Sequence, residues 1–328
     1  MTDTAPRDAR IIALRNFAIS ITALNVLGYA VLGFEQAPLW PVAAVLTAYL
    51  TETVLEVVGA RAENRAPRFT GRGVRGMIEF LYPAHITALA VNMLLYVNDR
   101  ILVTLFGVIV AISGKWLLRA PVNGRLRHYM NPSNFGISVV LLLFPWVSIA
   151  PPYQFTENLS GWADWVLVVV IVSFGTLLNA KLTGRMWLIG SWLLVFAAQA
   201  VFRGLVLDTA IPGALATMTG VAFVLFTNYM ISDPGTTPSR PASQVAFGSG
   251  VAVVYGVLAG ASVVYGLFFA TAIVCLVRGA FLWSLHLMRR DRQGRPEAAA
   301  AHPAAPAAVA PAPVPAADRV PEGAVARA

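Results

Sequence analysis

A single cysteine, Cys275, stands in the whole chain, and it lies inside an apolar run. One thiol excludes an intramolecular disulfide, a thiolate metal cluster and a CxxC redox pair, and leaves Cys275 as a small hydrophobe. Histidine is almost as scarce. The four residues, His85, His128, His286 and His302, have no carboxylates at ligand spacing, so no metal site is expected. No nucleophile–base pair marks a catalytic site either. The largest deficit is charge: 12% of residues are charged, against about 25% in a soluble globular domain. With 57% apolar residues over 328 positions, most of the surface must face lipid.

The charge that remains is unequally signed, at a formal net +8. In a soluble protein that excess would suggest nucleic acid. Here the arginines fall in short runs between long apolar stretches, which is a topology signal, and no nucleic-acid partner is expected.

A membrane span needs about 20 predominantly apolar residues. Ten stretches qualify, near 17–34, 38–59, 77–97, 101–118, 136–151, 164–180, 187–202, 213–232, 245–262 and 263–284. The first is long for a signal-peptide core and reads as a retained helix. Arg7, Arg10 and Arg15 precede it; Arg61, Arg65, Arg68, Arg72 and Arg75 follow the second; Lys115, Arg119, Arg125 and Arg127 follow the fourth. Lys181 and Arg185 follow the sixth, Arg240 the eighth, and Arg289, Arg290 and Arg292 the tenth, while the opposite loops hold Arg100 and Arg203. By the positive-inside bias both ends are cytoplasmic. The expected fold is all-α: a polytopic transmembrane helical bundle of about ten spans in the cell (cytoplasmic) membrane, with the lipid bilayer as its first partner. Its parts are a cytoplasmic segment 1–16, a transmembrane domain 17–284, and a tail 285–328. That tail is rich in Ala and Pro and too poor in buryable surface to offset its ordering entropy, so it reads as disordered.

Ionisable and polar groups inside spans are costly, roughly 2.5 to 3.5 kcal/mol per charge even on lenient scales, so each needs a reason. Glu52 and Glu56 share a face of the second helix, and Glu52 lies about 13 Å in from Arg61. On the antiparallel third helix His85 reaches a similar depth, with Asn92 on the same face, so a Glu52–His85 contact is geometrically possible. Glu52, His85 and Asn92 are the intramembrane candidates, either a proton- or cation-handling site or a polar contact that orients two helices. Glu79 sits at the interface beside the arginine loop, and Lys115 can snorkel to the surface. Thr22, Asn25 and Tyr29 share a face of the first helix, a helix-packing pattern.

Two loops carry the remaining signal. Before the fifth span the chain reads Asn131-Pro132-Ser133-Asn134-Phe135-Gly136, where Asn can cap free amides and Pro suits the first turn. After the eighth it reads Ser232-Asp233-Pro234-Gly235-Thr236-Thr237-Pro238. Asp233 stands at a helix C-terminus, where the dipole disfavours an anion. It therefore calls for a compensating partner: Arg240, Asn131 or a basic residue of the other loop.

At these residues the sequence resembles the RnfD/NqrB family, integral membrane components of the Rnf complex and of the sodium-translocating NADH:quinone reductase. That family carries Asn-Pro-Ala-x-x-Gly and Thr-Asp-Pro-x-Thr-x-Pro at the two loops. The counterparts are Asn131, Pro132, Asn134 and Gly136, with Ser133 for Ala, and Asp233, Pro234, Thr236 and Thr237, with Ser232 for Thr. The resemblance spans roughly residues 10 to 290. It implies ten helices, electron transport or coupled ion movement, and other membrane subunits of a redox or transport complex as partners. It also implies flavin mononucleotide (FMN) esterified to the Thr of a Ser-Gly-Ala-Thr motif between the fifth and sixth helices. The loop 151–163 here holds only Ser160-Gly161 of that motif, and the motif is absent elsewhere. The sequence thus offers no acceptor for covalent FMN and leaves a non-covalent flavin open. The chain also resembles membrane proteins of enediyne natural-product gene clusters, which implies a divergent transporter that moves or protects a lipophilic product.

Overall fold

A computed structural model describes residues 5–122 and 124–294 of the chain. The described residues are mostly helical. The first half holds α1 (Ala5–Leu27), prolonged by a π-helical turn at Gly28–Leu32, then α2 (Trp40–Ala62), α3 (Gly73–Leu94), α4 (Ile101–Leu117) and α5 (Pro132–Leu143). The second half holds α6 (Ala163–Leu178), also prolonged by a π turn at Asn179–Thr183, then α7 (Met186–Leu207), α8 (Ile211–Ala216), α9 (Val221–Leu225), α10 (Pro241–Gly260) and α11 (Gly266–Gly294). Two short antiparallel ribbons join loops: β1 (Leu95–Tyr96) pairs with β4 (Ser148–Ile149), and β2 (Arg119–Val122) pairs with β3 (Arg125–His128).

Seven of these helices are long and apolar enough to cross a membrane, or eight when the bent pair Ile211–Thr219 and Val221–Met230 is taken as one span. This is the composition of a multi-pass membrane protein. All ten expected stretches coincide with helices, but two are short. The 17 residues of α4 and the 12 of α5 rise about 25 and 18 Å, less than the hydrocarbon thickness of about 30 Å. The expected end of the fifth stretch at 151 is corrected to Leu143. Phe144, which precedes Pro145, leaves the helical region (φ −123°, ψ 85°), as the steric demand of a following proline requires.

The eighth stretch is not one helix. It breaks by 62° at Gly220, whose extended backbone (φ −71°, ψ 143°) ends the 3-10 turn Thr217–Thr219 and starts α9. The first helix begins at Ala5, inside the expected 1–16 segment. Helix α11 runs through the expected start of the tail at 285 to Gly294; the tail's remainder, 295–328, lies outside the described residues.

Helix α2 shows how the sequence sorts its faces. Trp40, Ala44, Ala48, Glu52, Glu56 and Ala60 are buried at every fourth position, while Val42, Leu46, Leu50, Val54 and Val58 form the exposed, lipid-type face. The alanines on that buried stripe let neighbouring helices approach closely, the usual device where lipid supplies no hydrophobic drive between helices. Both α3 and α4 pack on α2. Gly136 does the same for α5: a β-carbon there would collide with the Gly107 carbonyl of α4. In the other half an aromatic cluster of Trp192, Phe196, Phe223, Phe226 and Tyr255 locks α7, α9 and α10 together, with Trp192 Nε1 donating to Thr227 Oγ1 at 3.0 Å.

Candidate functional site

The Asn131 loop folds as its sequence dictates. Asn131 is the N-cap of α5: its Oδ1 accepts from Asn134 N at 3.0 Å and from Ser133 Oγ at 2.9 Å, and Pro132 opens the helix. Its amide turns outward and donates to Met230 O at 3.2 Å, the last residue of the π turn that follows α9. Asn134 is fully buried and donates to Phe268 O at 3.0 Å, tying α5 to α11.

The Asp233 carboxylate takes two hydrogen bonds from its own loop. The carboxylate accepts from Gly235 N and Thr236 Oγ1, both at 2.9 Å, and the Asp233 carbonyl accepts from Thr237 Oγ1 at 2.6 Å. Such Asx geometry supplies two donors locally, so neither Arg240 nor the Asn131 side chain, both named from the sequence, provides the carboxylate's hydrogen bonds. The turn is instead clasped from outside by two arginines that sequence reasoning passed over. Arg185 donates from Nε to Thr237 Oγ1 at 2.9 Å and from Nη2 to Pro234 O at 3.4 Å, and Arg278 donates to Thr236 O at 2.5 Å. Burial holds the Arg185 guanidinium below its ordinary pKa, and the nearby Asp233 charge partly opposes that. His128 Nε2 faces Gly235 beside the same carboxylate. The two motif loops therefore meet, through Asn131 and Met230.

They meet at the wall of a cavity of about 1350 Å3. One stripe of α3 lines it (Phe80, Pro83, Thr87, Ala90 and Leu94), a run of about 21 Å at helical rise. A stripe of α1 faces it with Ala13, Phe17, Ser20 and Leu24, and the α9 segment contributes Leu225, Phe226 and Tyr229. Asn131, Pro132, Asp233 and Pro234 sit toward one end, with Arg119, Arg125 and Arg127 of the β2–β3 hairpin. Ile149 and Ala150 are at the other end, where Ala150 N bonds to Leu94 O. The hairpin itself was not among the expected elements, although Val122-Asn123-Gly124 is a strong hairpin signal and Gly124 takes the positive φ of 76° that such turns need.

Glu52 also lines this cavity, but not in the company expected from sequence. It is 2.8 Å from Lys115 Nζ, and both side chains are largely buried. Instead of snorkelling, Lys115 turns inward because α4 packs on the α2 stripe that carries Glu52. A full positive charge is the stronger partner for a buried carboxylate. His85 stands apart from Glu52, with Nε2 2.7 Å from Thr22 Oγ1 and Nδ1 2.9 Å from Tyr49 OH. Thr22 already donates its proton to Ala18 O, so it accepts from Nε2–H, while Nδ1 pairs with the Tyr49 hydroxyl. That arrangement makes the imidazole a fastener of α3 to α1 and α2. Asn92 donates to Tyr29 OH at 3.0 Å and likewise ties α3 to the π turn after α1. Glu56 is gripped by Arg65 and Arg68, and Glu79 by Arg72 and Arg75.

The same basic end holds a stack in which the Arg68 and Arg119 guanidinium groups lie 5.2 and 4.4 Å from the Trp116 ring. Burial, together with the neighbouring Arg68 charge, pushes the Arg119 pKa below its ordinary value. Thr156, the threonine of the loop 151–163, is not in the lining of this cavity. Among the described residues no cluster of three or more His, Cys, Asp or Glu could hold a metal ion. No protein-family model matches the chain, and no curated protein matches it in sequence.

Proposed function

We propose that this chain is an RnfD/NqrB-like integral membrane component, of ten spans with both ends cytoplasmic, serving electron transport or ion-coupled transport within a larger membrane complex. The observation that carries this reading is the meeting of both motif loops, Asn131–Gly136 and Asp233–Thr237, at one end of a single cavity. The bond from Asn131 to Met230, 99 positions apart in sequence, joins the helix ends next to which the two motifs lie. The cavity is large enough for a cofactor-sized molecule held without a covalent bond.

A second reading is favoured by a different observation. The cavity follows α3 for about 21 Å, and the helix that borders it is broken at Gly220. Broken helices beside a central cavity are the architecture of secondary transporters. On this reading the chain is a divergent transporter without flavin, with a lipophilic natural product as its cargo. The absorbance spectrum of the purified protein separates the two. A flavin band that is lost with the cofactor on denaturation supports electron transfer; a colourless protein overturns it in favour of transport.

A further inference from the structure

Six arginine and lysine side chains line the cavity, Arg65, Arg68, Lys115, Arg119, Arg125 and Arg127, and their neutralisation is uneven. Lys115 is matched by Glu52, Arg65 by Glu56 and Glu63, and Arg68 by Glu56. Among the described residues Arg119, Arg125 and Arg127 make no carboxylate ion pair, although Glu63, Glu52 and Glu56 act on Arg119 at longer range. Their positions are fixed by the hairpin, in which Ala120 pairs with Arg127 and Val122 with Arg125. Arg119 is further fixed by its stack on Trp116 and its bond from Nε to Lys115 O at 2.9 Å. Immediately inward the lining changes to hydrocarbon and aromatic side chains along α1, α3 and α9.

Arg125 and Arg127 share one face of the hairpin and Arg119 the other, and all three border the apolar trough, an arrangement with a definite complement. Guanidinium matches phosphate oxygens bidentately. The α3 stripe of about 21 Å exceeds the depth of one bilayer leaflet, about 15 Å, and so is long enough to hold a lipid hydrocarbon chain. We propose that this cavity binds a phosphate-headed amphiphile, an anionic phospholipid of the surrounding bilayer, with its head at the hairpin that carries Arg119, Arg125 and Arg127 and a chain along the α1–α3 trough. The same head chemistry occurs in soluble phosphate esters; the trough is what selects the lipid. The proposal rests on reading this cavity as the ligand site. It does not depend on flavin, so a colourless protein leaves it intact and a flavin band does not establish it.

The test uses the full-length protein in detergent micelles, titrated with phosphatidylglycerol or phosphatidylcholine of identical chains and read by native mass spectrometry. The wild type should retain phosphatidylglycerol roughly tenfold or more over phosphatidylcholine, since clustered basic residues at a lipid surface favour anionic headgroups. The triple variant Arg119→Ala, Arg125→Ala, Arg127→Ala should lose that preference while still taking up both lipids. Ala90→Trp, which fills the trough from α3, should lose both lipids. Arg61→Ala, an exposed cation outside the cavity, should match the wild type and so control for net charge. An equal uptake of the two lipids by the wild type overturns the proposal, as does a preference that survives in the triple variant. Displacement of the lipid by glycerol 3-phosphate at equal concentration would show that the head alone binds, and would also overturn it. Should the triple variant melt early, Arg119→Lys carries the test, because a point charge keeps the sign but loses bidentate contact, and a partial fall in preference is expected.

Discussion

Lys115 Nζ lies 2.8 Å from Glu52 Oε2, an ion pair that fastens α4 to α2 within the cavity wall, with the two side chains 11% and 4% exposed. A buried pair of this kind contributes little net stability as a pair, because desolvation offsets attraction, but removing one partner strands the other. Glu52→Gln should therefore destabilise the protein by about 3 kcal/mol, and Lys115→Met by a similar amount. The double variant Glu52→Leu, Lys115→Met should regain most of the loss. Thermal unfolding in detergent reads all three. A double variant as unstable as the sum of the single ones would mean that the pair does more than neutralise itself.

Thr70 is exposed in the connection between α2 and α3, and its hydroxyl donates to Pro67 O. The sole native cysteine, Cys275, is buried and will not compete for label. With Arg61, Arg65, Arg68, Arg72 and Arg75 flanking it, Thr70→Cys should resist an impermeant maleimide in intact cells and react after lysis. Labelling in intact cells would invert the proposed orientation.

The loop 151–163 lacks the Ala-Thr that would follow Ser160-Gly161 in a flavin-attachment motif. In-gel fluorescence after denaturation should show no flavin co-migrating with the protein band. A fluorescent band that survives denaturation would reveal an ester at another residue.

What the sequence disclosed and what it withheld divide along one physical line. Apolar length and arginine placement are local properties, and they located the helices that became α1 to α4, α6, α7, α10 and α11, as well as the cap at Asn131. The break at Gly220 was illegible because a glycine within an apolar run is common in membrane helices; only its extended backbone marks it. Pairing was illegible for a different reason. Depth counting placed Glu52 and His85 level, but depth says nothing of rotation about the helix axis, which sends His85 to Thr22 and Tyr49 and Glu52 to Lys115. The Arg185 and Arg278 clasp on the Asp233 turn depends on three elements arriving together, and no spacing in the chain announces it.

The final expectation concerns Asn131 and Asp233, whose side chains do not bond to each other, although the Asn131 side chain and the Asp233 backbone N–H share an acceptor. Asn131 Nδ2 donates to Met230 O at 3.2 Å, and Asp233 N points at the same carbonyl at 3.4 Å. Asp233 shapes its turn through Gly235 N and Thr236 Oγ1, and that turn presents its own amide to Met230. Losing the Asp233 side chain should relax the turn and loosen the carbonyl that Asn131 holds, while losing Asn131 should free the carbonyl from the α5 side. Two residues that only shaped their own turns would add within roughly 0.5 kcal/mol, whereas members of one hydrogen-bond network couple by more. In a double-mutant cycle on Asn131→Ala and Asp233→Ala, read as unfolding free energy in detergent, a coupling of about 1 kcal/mol is expected. Asn131→Ala should also cost about 1 kcal/mol for the lost cap of α5, so the coupling must be taken from the cycle and not from either single variant. Strict additivity would mean that the two loops are neighbours in space without being one site.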